Sequence, residues 1–248
     1  MMLEMVRQIA VAACLVVMLW TNLAGGGGNP EGDREPGMYT AFPTDFSPAP
    51  YTFTVWAPIF LGCIALAVYQ ALPALRHDPR FGLLGWLVAA AFLLTALTAY
   101  TPIGVSNVVI TALLAALALA YRQAAGAEPQ TAAFLWCVRL PLAIFTAWCT
   151  VATILNACQW AVSQGWPVGQ VPAAALIGIA AAVGVAVVVQ QREVAFGLVL
   201  VWAFWGIVAA RPEASAVVGA ATVATLALVG AAAYAWWGGS GSPPVPAS

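Results

Sequence analysis

The sequence predicts an all-α fold, a polytopic transmembrane helix bundle of about eight spans. Three observations carry that prediction. Of 248 residues, 63% are hydrophobic and 7% are charged, whereas a soluble domain carries about a quarter of its residues as charges. The mean hydropathy is +0.92. Apolar runs long enough to cross a hydrocarbon core, about 20 residues each, recur along the chain, and the few charges collect in the gaps between them.

The first span is 6–24, built on an apolar run from Ile9 to Trp20. Such a leader also reads as a secretory signal. Asn22-Leu23-Ala24 lacks a small residue at its first position and Glu4 is acidic, so a retained helix is expected. Residues 25–52 form an outer loop. It opens with a flexible Gly25–Gly28 linker and continues with Pro36, Pro43, Pro48 and Pro50 among Tyr39, Phe42, Phe46 and Tyr51. This reads as an ordered aromatic loop folded over helix ends. Span two (53–75) begins with Phe53, Trp56 and Phe60 at i, i+3 and i+7, with Pro58 in the first turns, where a missing N–H is tolerated.

Spans three (82–100) and four (103–121) follow, then span five (138–162), where Arg139 at the start can reach the interface. Spans six (172–190), seven (194–210) and eight (214–237) complete the set. Seven is the shortest, separated from eight by Arg211-Pro212-Glu213. Residues 238–248 are expected to form a disordered tail. With the N-terminus inside, six arginines (Arg7, Arg76, Arg80, Arg122, Arg139, Arg192) lie on the cytoplasmic side and two (Arg34, Arg211) outside. The positive-inside rule therefore expects a cell-membrane protein with both termini cytoplasmic.

All eight cations are arginine and the chain has no lysine. Walker A phosphate binding, pyridoxal Schiff bases and lysine-linked retinal are thereby excluded. With His77 as the one histidine, bis-histidine haem and H-E-x-x-H zinc sites are excluded as well. No basic patch exists to neutralise phosphates, so nucleic acid is not a partner. Cys14, Cys63, Cys137, Cys149 and Cys158 are scattered through the spans and read as small packing residues. No metal site is expected, and no cofactor is obligatory.

Eleven tryptophans are the unusual resource. Trp20, Trp136, Trp236 and Trp237 near span ends, and Trp166 in a loop, read as an interfacial belt. Trp56, Trp148, Trp160, Trp202 and Trp205 divide between packing and lining a ligand. Span five holds Trp148, Ala152 and Asn156 at i, i+4 and i+8, with Gln159 at i+11, on one stripe. An uncharged amide is costly in lipid without a partner, so the stripe should face the bundle interior or a cavity. Hydrogen bonding of Asn156 and Gln159 to neighbouring helices is the plain alternative.

Two segments, Pro48-Ala-Pro-Tyr-Thr-Phe-Thr-Val-Trp-Ala-Pro-Ile-Phe60 and Trp148-Cys-Thr-Val-Ala-Thr-Ile-Leu-Asn156, resemble the TspO/MBR family of tryptophan-rich sensory proteins. The resemblance covers residues 1–165 as a five-helix bundle and makes 166–237 a three-helix C-terminal membrane extension. The asparagine and tryptophan of the family's third helix are absent from residues 89–100. It implies a cavity between helices, closed by the loop after the first, that binds porphyrins and other flat hydrophobic molecules. Carried onto this chain, Trp56 and Trp148 are cavity aromatics, and Ala152 and Asn156 share their wall.

The first expectation is therefore a binding or sensory membrane protein for a flat hydrophobic ligand, a tetrapyrrole. Phe53, Trp56, Phe60, Trp148 and Ala152 would line its site, and Asn156 and Gln159 would anchor it. The alternatives are a transporter of a hydrophobic solute and an assembly protein. No mid-span carboxylate supports ion coupling in the former. The latter would use small-residue faces at Ala180, Gly184, Gly219 and Gly230, which leave a homodimer open. A hydrolytic enzyme is least favoured, for want of a buried acid–base pair.

Overall fold

A computed structural model describes residues 2–24 and 41–237; the expectations for the glycine linker, the start of the outer loop and the tail lie outside the described residues. Among the described residues there are eight long helices: α1 (Met2–Ala24), α2 (Trp56–Ala71), α3 (Phe81–Thr98), α4 (Ile103–Ala125), α5 (Ala132–Ser163), α6 (Gln170–Gln191), α7 (Val194–Ala210) and α8 (Ser215–Trp237). No strand occurs among the described residues. The fold is an all-α polytopic bundle, and among the described residues seven helical runs are long and apolar enough to cross a membrane, α2 counting together with the 3-10 stretch ahead of it as Pro50–Ala71.

The eighth, α7, has 17 residues, a rise of about 25 Å at 1.5 Å per residue. Its ends show how far it reaches. Glu193, just before α7, accepts a 3.0 Å bond from Arg139 Nε near the start of α5. Arg211, just after it, pairs with Asp45 at 3.3 Å in the segment before α2. The short helix therefore runs from one end of the bundle to the other, like its neighbours.

Local chemistry sets the boundaries. Pro73 forces the preceding Leu72 to an extended ψ of 134°, which stops α2 at Ala71; residues 73–75 form a separate 3-10 turn. The chain ahead of α2 is also 3-10, Pro50–Val55, with proline at its start. Span two is thus shorter than the apolar run 53–75, and Phe53 precedes the α-helix proper. The run 132–163 is helical throughout, with one wider π turn at Leu135–Arg139.

Packing proceeds as a chain of neighbours. α1 lies on α3, α3 on α4, α4 on α5, and α5 is flanked also by α2 and α7. α6 and α8 pack on one another, with α7 against both. The buried apolar side chains form one contiguous core through all eight helices. Between helices in lipid, cohesion comes from close van der Waals contact, which small residues permit. A Cβ on Gly62 of α2 would stand 2.8 Å from Pro141 Cβ on α5, and one on Gly184 of α6 would strike Leu200 and Leu228. Ala180 is fully buried beside this contact. Gly219 and Gly230 on α8 pack on no helix of this chain: both have open space where a side chain would go.

The polar groups sort to the ends. Arg7 donates to the Arg76 carbonyl, Arg80 clasps Asp78 and reaches the Pro129 carbonyl, and Arg139 bonds Glu193 and Gln130. With Arg122 in the last turn of α4 and Arg192 between α6 and α7, six arginines share one end. Arg211 is at the opposite end, near the loop. Trp20, Trp136, Trp166, Trp236 and Trp237 are all exposed near helix ends, as an interfacial belt requires.

Candidate functional site

The aromatic residues of α2 and α5 meet. Trp56 stacks on Phe60 with centroids 5.2 Å apart and planes 26° from parallel. It meets Trp148 edge-on at 6.5 Å and Phe145 at 5.9 Å. Phe53 also meets Trp148 edge-on, at 5.5 Å and 83°. T-shaped pairs of this kind satisfy the ring quadrupoles. Phe53, Phe145 and Trp148 are buried, whereas Trp56 and Phe60 are half-buried. The site is thus a wall of interlocked rings with its more accessible members on α2.

The polar members of α5 occupy the turns beyond Trp148. Asn156 is buried and donates from Nδ2 to Ser106 Oγ on α4 at 3.2 Å; its Oδ1 has no partner. Turning the amide over would pair Oδ1 with the hydroxyl and leave the nitrogen without one, so one pole is left over either way. Gln159 is 1% exposed, and its Nε2 has no partner. Buried amide poles without hydrogen bonds are rare and costly in an apolar interior. Ala152, half-buried, lies between Trp148 and Asn156.

At 100° per residue, Asn156 lies about 80° around the helix from Trp148, and Gln159 only about 20°. This is why Trp148 meets α2 while Asn156 turns to α4. The structure therefore brings together Phe53, Trp56, Phe60 and Trp148. It gives Asn156 one of the interhelical hydrogen bonds that the plain alternative expects.

Three contributors were not read from the sequence. Phe145, one turn before Trp148, completes the ring cluster; its i−3 spacing was the available signal. Ser106, in the first turn of α4, meets Asn156 across 50 residues of sequence and gave no local sign. The third is a clamp from α7. Trp202 Nε1 donates to the Thr52 carbonyl at 3.0 Å, and the Trp202 ring meets Tyr51 edge-on at 5.4 Å. The Ala49 N–H donates to the Gly206 carbonyl at 2.9 Å, and Thr52 sits where a Gly206 side chain would be. Trp202 and Gly206 stand one turn apart on α7 and hold the segment that delivers Phe53.

The remaining reactive groups are dispersed. The five cysteines are free, and no cluster of three or more His, Cys, Asp or Glu suits a metal among the described residues. His77 is exposed and lies 3.9 Å from Glu4. Outside the spans, the Arg80 side chain hydrogen-bonds Asp78 and holds its carboxyl below the usual aspartate range. Burial pushes the Glu193 carboxyl above the usual glutamate range, against the pull of Arg139.

No curated protein and no solved structure matches this chain. A family model described as TSPO-like protein matches residues 8–235, from α1 to the last turn of α8. The match takes in α6–α8 as well as the five helices that carry the two motif segments. On that match over most of its length, the chain belongs to the TSPO-like family.

Proposed function

We propose that this membrane protein binds a flat hydrophobic ligand, of the tetrapyrrole class, between α2 and α5, and serves as its sensor or carrier. Membership of the TSPO-like family supports the coarser reading of a sensory or binding membrane protein. One observation carries the finer one: a wall of five rings joins α2 and the segment before it to α5, and α5, which supplies two of those rings, also carries two buried amides, each with a pole unpaired. A planar aromatic ligand would stack on the half-buried Trp56 and Phe60. Its polar edge would pair the amide left over on Asn156 or Gln159. Ala152 leaves room beside Trp148 for a flat molecule.

The division into a binding unit, α1–α5, and a supporting extension, α6–α8, belongs to the same proposal. So does orientation. Six arginines at one end make that end cytoplasmic by the positive-inside rule, and the Asp45 loop then faces outward with both termini inside.

The test is ligand-induced tryptophan quenching in detergent-solubilised protein, titrated with a porphyrin. Wild type should quench saturably, and Trp148→Phe with Asn156→Ala should weaken the titration. Unchanged quenching in both variants places the ligand elsewhere. Protein purified from its native membrane should show a Soret band, and a spectrum without one from several growth conditions would count against the tetrapyrrole class.

A further inference from the structure

The end of the molecule opposite the loop gathers six arginines. A recess of about 560 Å³ opens between the first turn of α3 and the last turns of α4. Arg80, Arg122 and Gln123 supply its polar lining, and Leu83 and Leu119 stand on its apolar side. The lining holds two guanidiniums and a carboxamide and no carboxylate. We infer that this recess binds the headgroup of an anionic phospholipid, with the phosphodiester on the two arginines and the acyl chains along Leu83 and Leu119.

The two arginines differ in what they bring. Arg80 is fixed: Nε bonds both Asp78 oxygens at 3.0 Å, Nη1 bonds the Pro129 carbonyl at 2.6 Å, and the guanidinium lies 4.6 Å over the Phe134 ring. Asp78 offsets much of its charge and takes up Nε and one Nη2 hydrogen, so Arg80 contributes a fixed position and its remaining terminal N–H groups. Arg122 is exposed and makes no side-chain hydrogen bond or ion pair among the described residues. It supplies the uncompensated charge. A guanidinium fork suits phosphate oxygens, and basic recesses between helices at the positive end of a membrane protein are where anionic headgroups settle.

Two neighbours oppose an anion there: exposed Glu128 and the carbonyls that end α4. The carbonyls are already engaged. Gln130 Nε2 donates to those of Ala124 and Ala125, and the Gly126 N–H donates to that of Arg122. The mouth distinguishes a lipid from a soluble anion. Leu83 and Leu119 are 58% and 50% exposed on membrane-spanning helices, so the recess is reached sideways from the bilayer. A lipid presents its phosphate at that depth together with chains that cover the leucines, which a free ion cannot do.

The full chain, purified in mild detergent and exposed to equimolar phosphatidylglycerol and phosphatidylcholine, is read by native mass spectrometry. Wild type should retain phosphatidylglycerol severalfold over phosphatidylcholine. Arg122→Gln should reduce that preference to near parity with an unchanged melting temperature, since the side chain is exposed. Arg192→Gln, at the same end but between α6 and α7, should keep it. Equal retention of the two lipids by wild type, or an intact preference in Arg122→Gln, overturns the proposal. So does displacement of the lipid by millimolar inorganic phosphate, which would identify a free-anion site.

Discussion

Helices α1–α5 and the segment before α2 bury arginine, glutamine, asparagine, serine and threonine, whereas α6–α8 bury no polar side chain among the described residues. The first region meets through aromatic rings and interhelical amides: Gln8 to the Gln70 carbonyl at 2.7 Å, Asn156 to Ser106, and Trp148 to Phe53 and Trp56. The second meets through alanine, glycine and leucine at van der Waals distance. Polar groups in a low-dielectric interior are retained where they hold a ligand or fix a unique packing, and small apolar faces supply cohesion alone. The contrast is what the proposed division, with recognition in α1–α5, would produce. It leaves α6–α8 to hold the loop through Trp202, Gly206 and Arg211.

The largest expected effect tests that division directly. Trp148→Ala and Phe204→Ala each remove a buried ring, one from each region, and each should cost about 3–5 kcal/mol in thermal or denaturant unfolding. Ligand quenching should vanish in the first and persist in the second. Loss of quenching in both would erase the contrast. Next, Gly206→Val drives a side chain into Thr52 and should cost about 1–3 kcal/mol, with faster proteolysis within residues 41–50. Gly230→Val, into open space, should stay within about 0.5 kcal/mol. Equal behaviour of the two would mean that α7 does not clamp the loop.

A double-mutant cycle on Ser106→Ala and Asn156→Ala should give a coupling of about 0.6 kcal/mol and no more than about 1.7, the range for hydrogen bonds between membrane helices. A coupling near zero would assign Asn156 to the ligand alone. The smallest effect is one of pH. Asp78 has a depressed carboxyl, so its contribution is present above the ordinary aspartate range, about 3.9, and is lost as pH falls through the folded value. Melting temperature should fall on acidification, and Asp78→Asn should abolish that response. Glu193, with a raised carboxyl facing Arg139 and Tyr121, carries the opposite sign: its contribution is full at low pH and fades as pH rises through its folded value. Glu193→Gln should therefore steepen the acid loss.

The helix count, the order of spans and the shortness of α7 were legible because each depends on local composition. Ten to twenty contiguous apolar residues between charges admit few other readings. The end of α2 was misplaced by four residues, although Pro73 was in view, because hydropathy continues through Leu72 and Leu75 while backbone sterics do not. The aromatic members of the site were legible from helical spacing on two segments. The helix each amide faces was not: Trp148 and Asn156 look like one stripe in a linear reading, and an 80° offset sends them to different partners.

By itself, the sequence determined a charge-poor, lysine-free chain that must place its backbone in membrane helices, and it concentrated rings and amides on spans two and five. Those properties follow from composition and from the periodicity of a single helix. Only the tertiary structure decided that α7 grips the segment carrying Phe53, that Ser106 meets Asn156, and that Arg122 faces a recess beside Arg80. Each of these depends on groups far apart in the chain meeting within a few ångströms, and no local pattern encodes where another helix will lie.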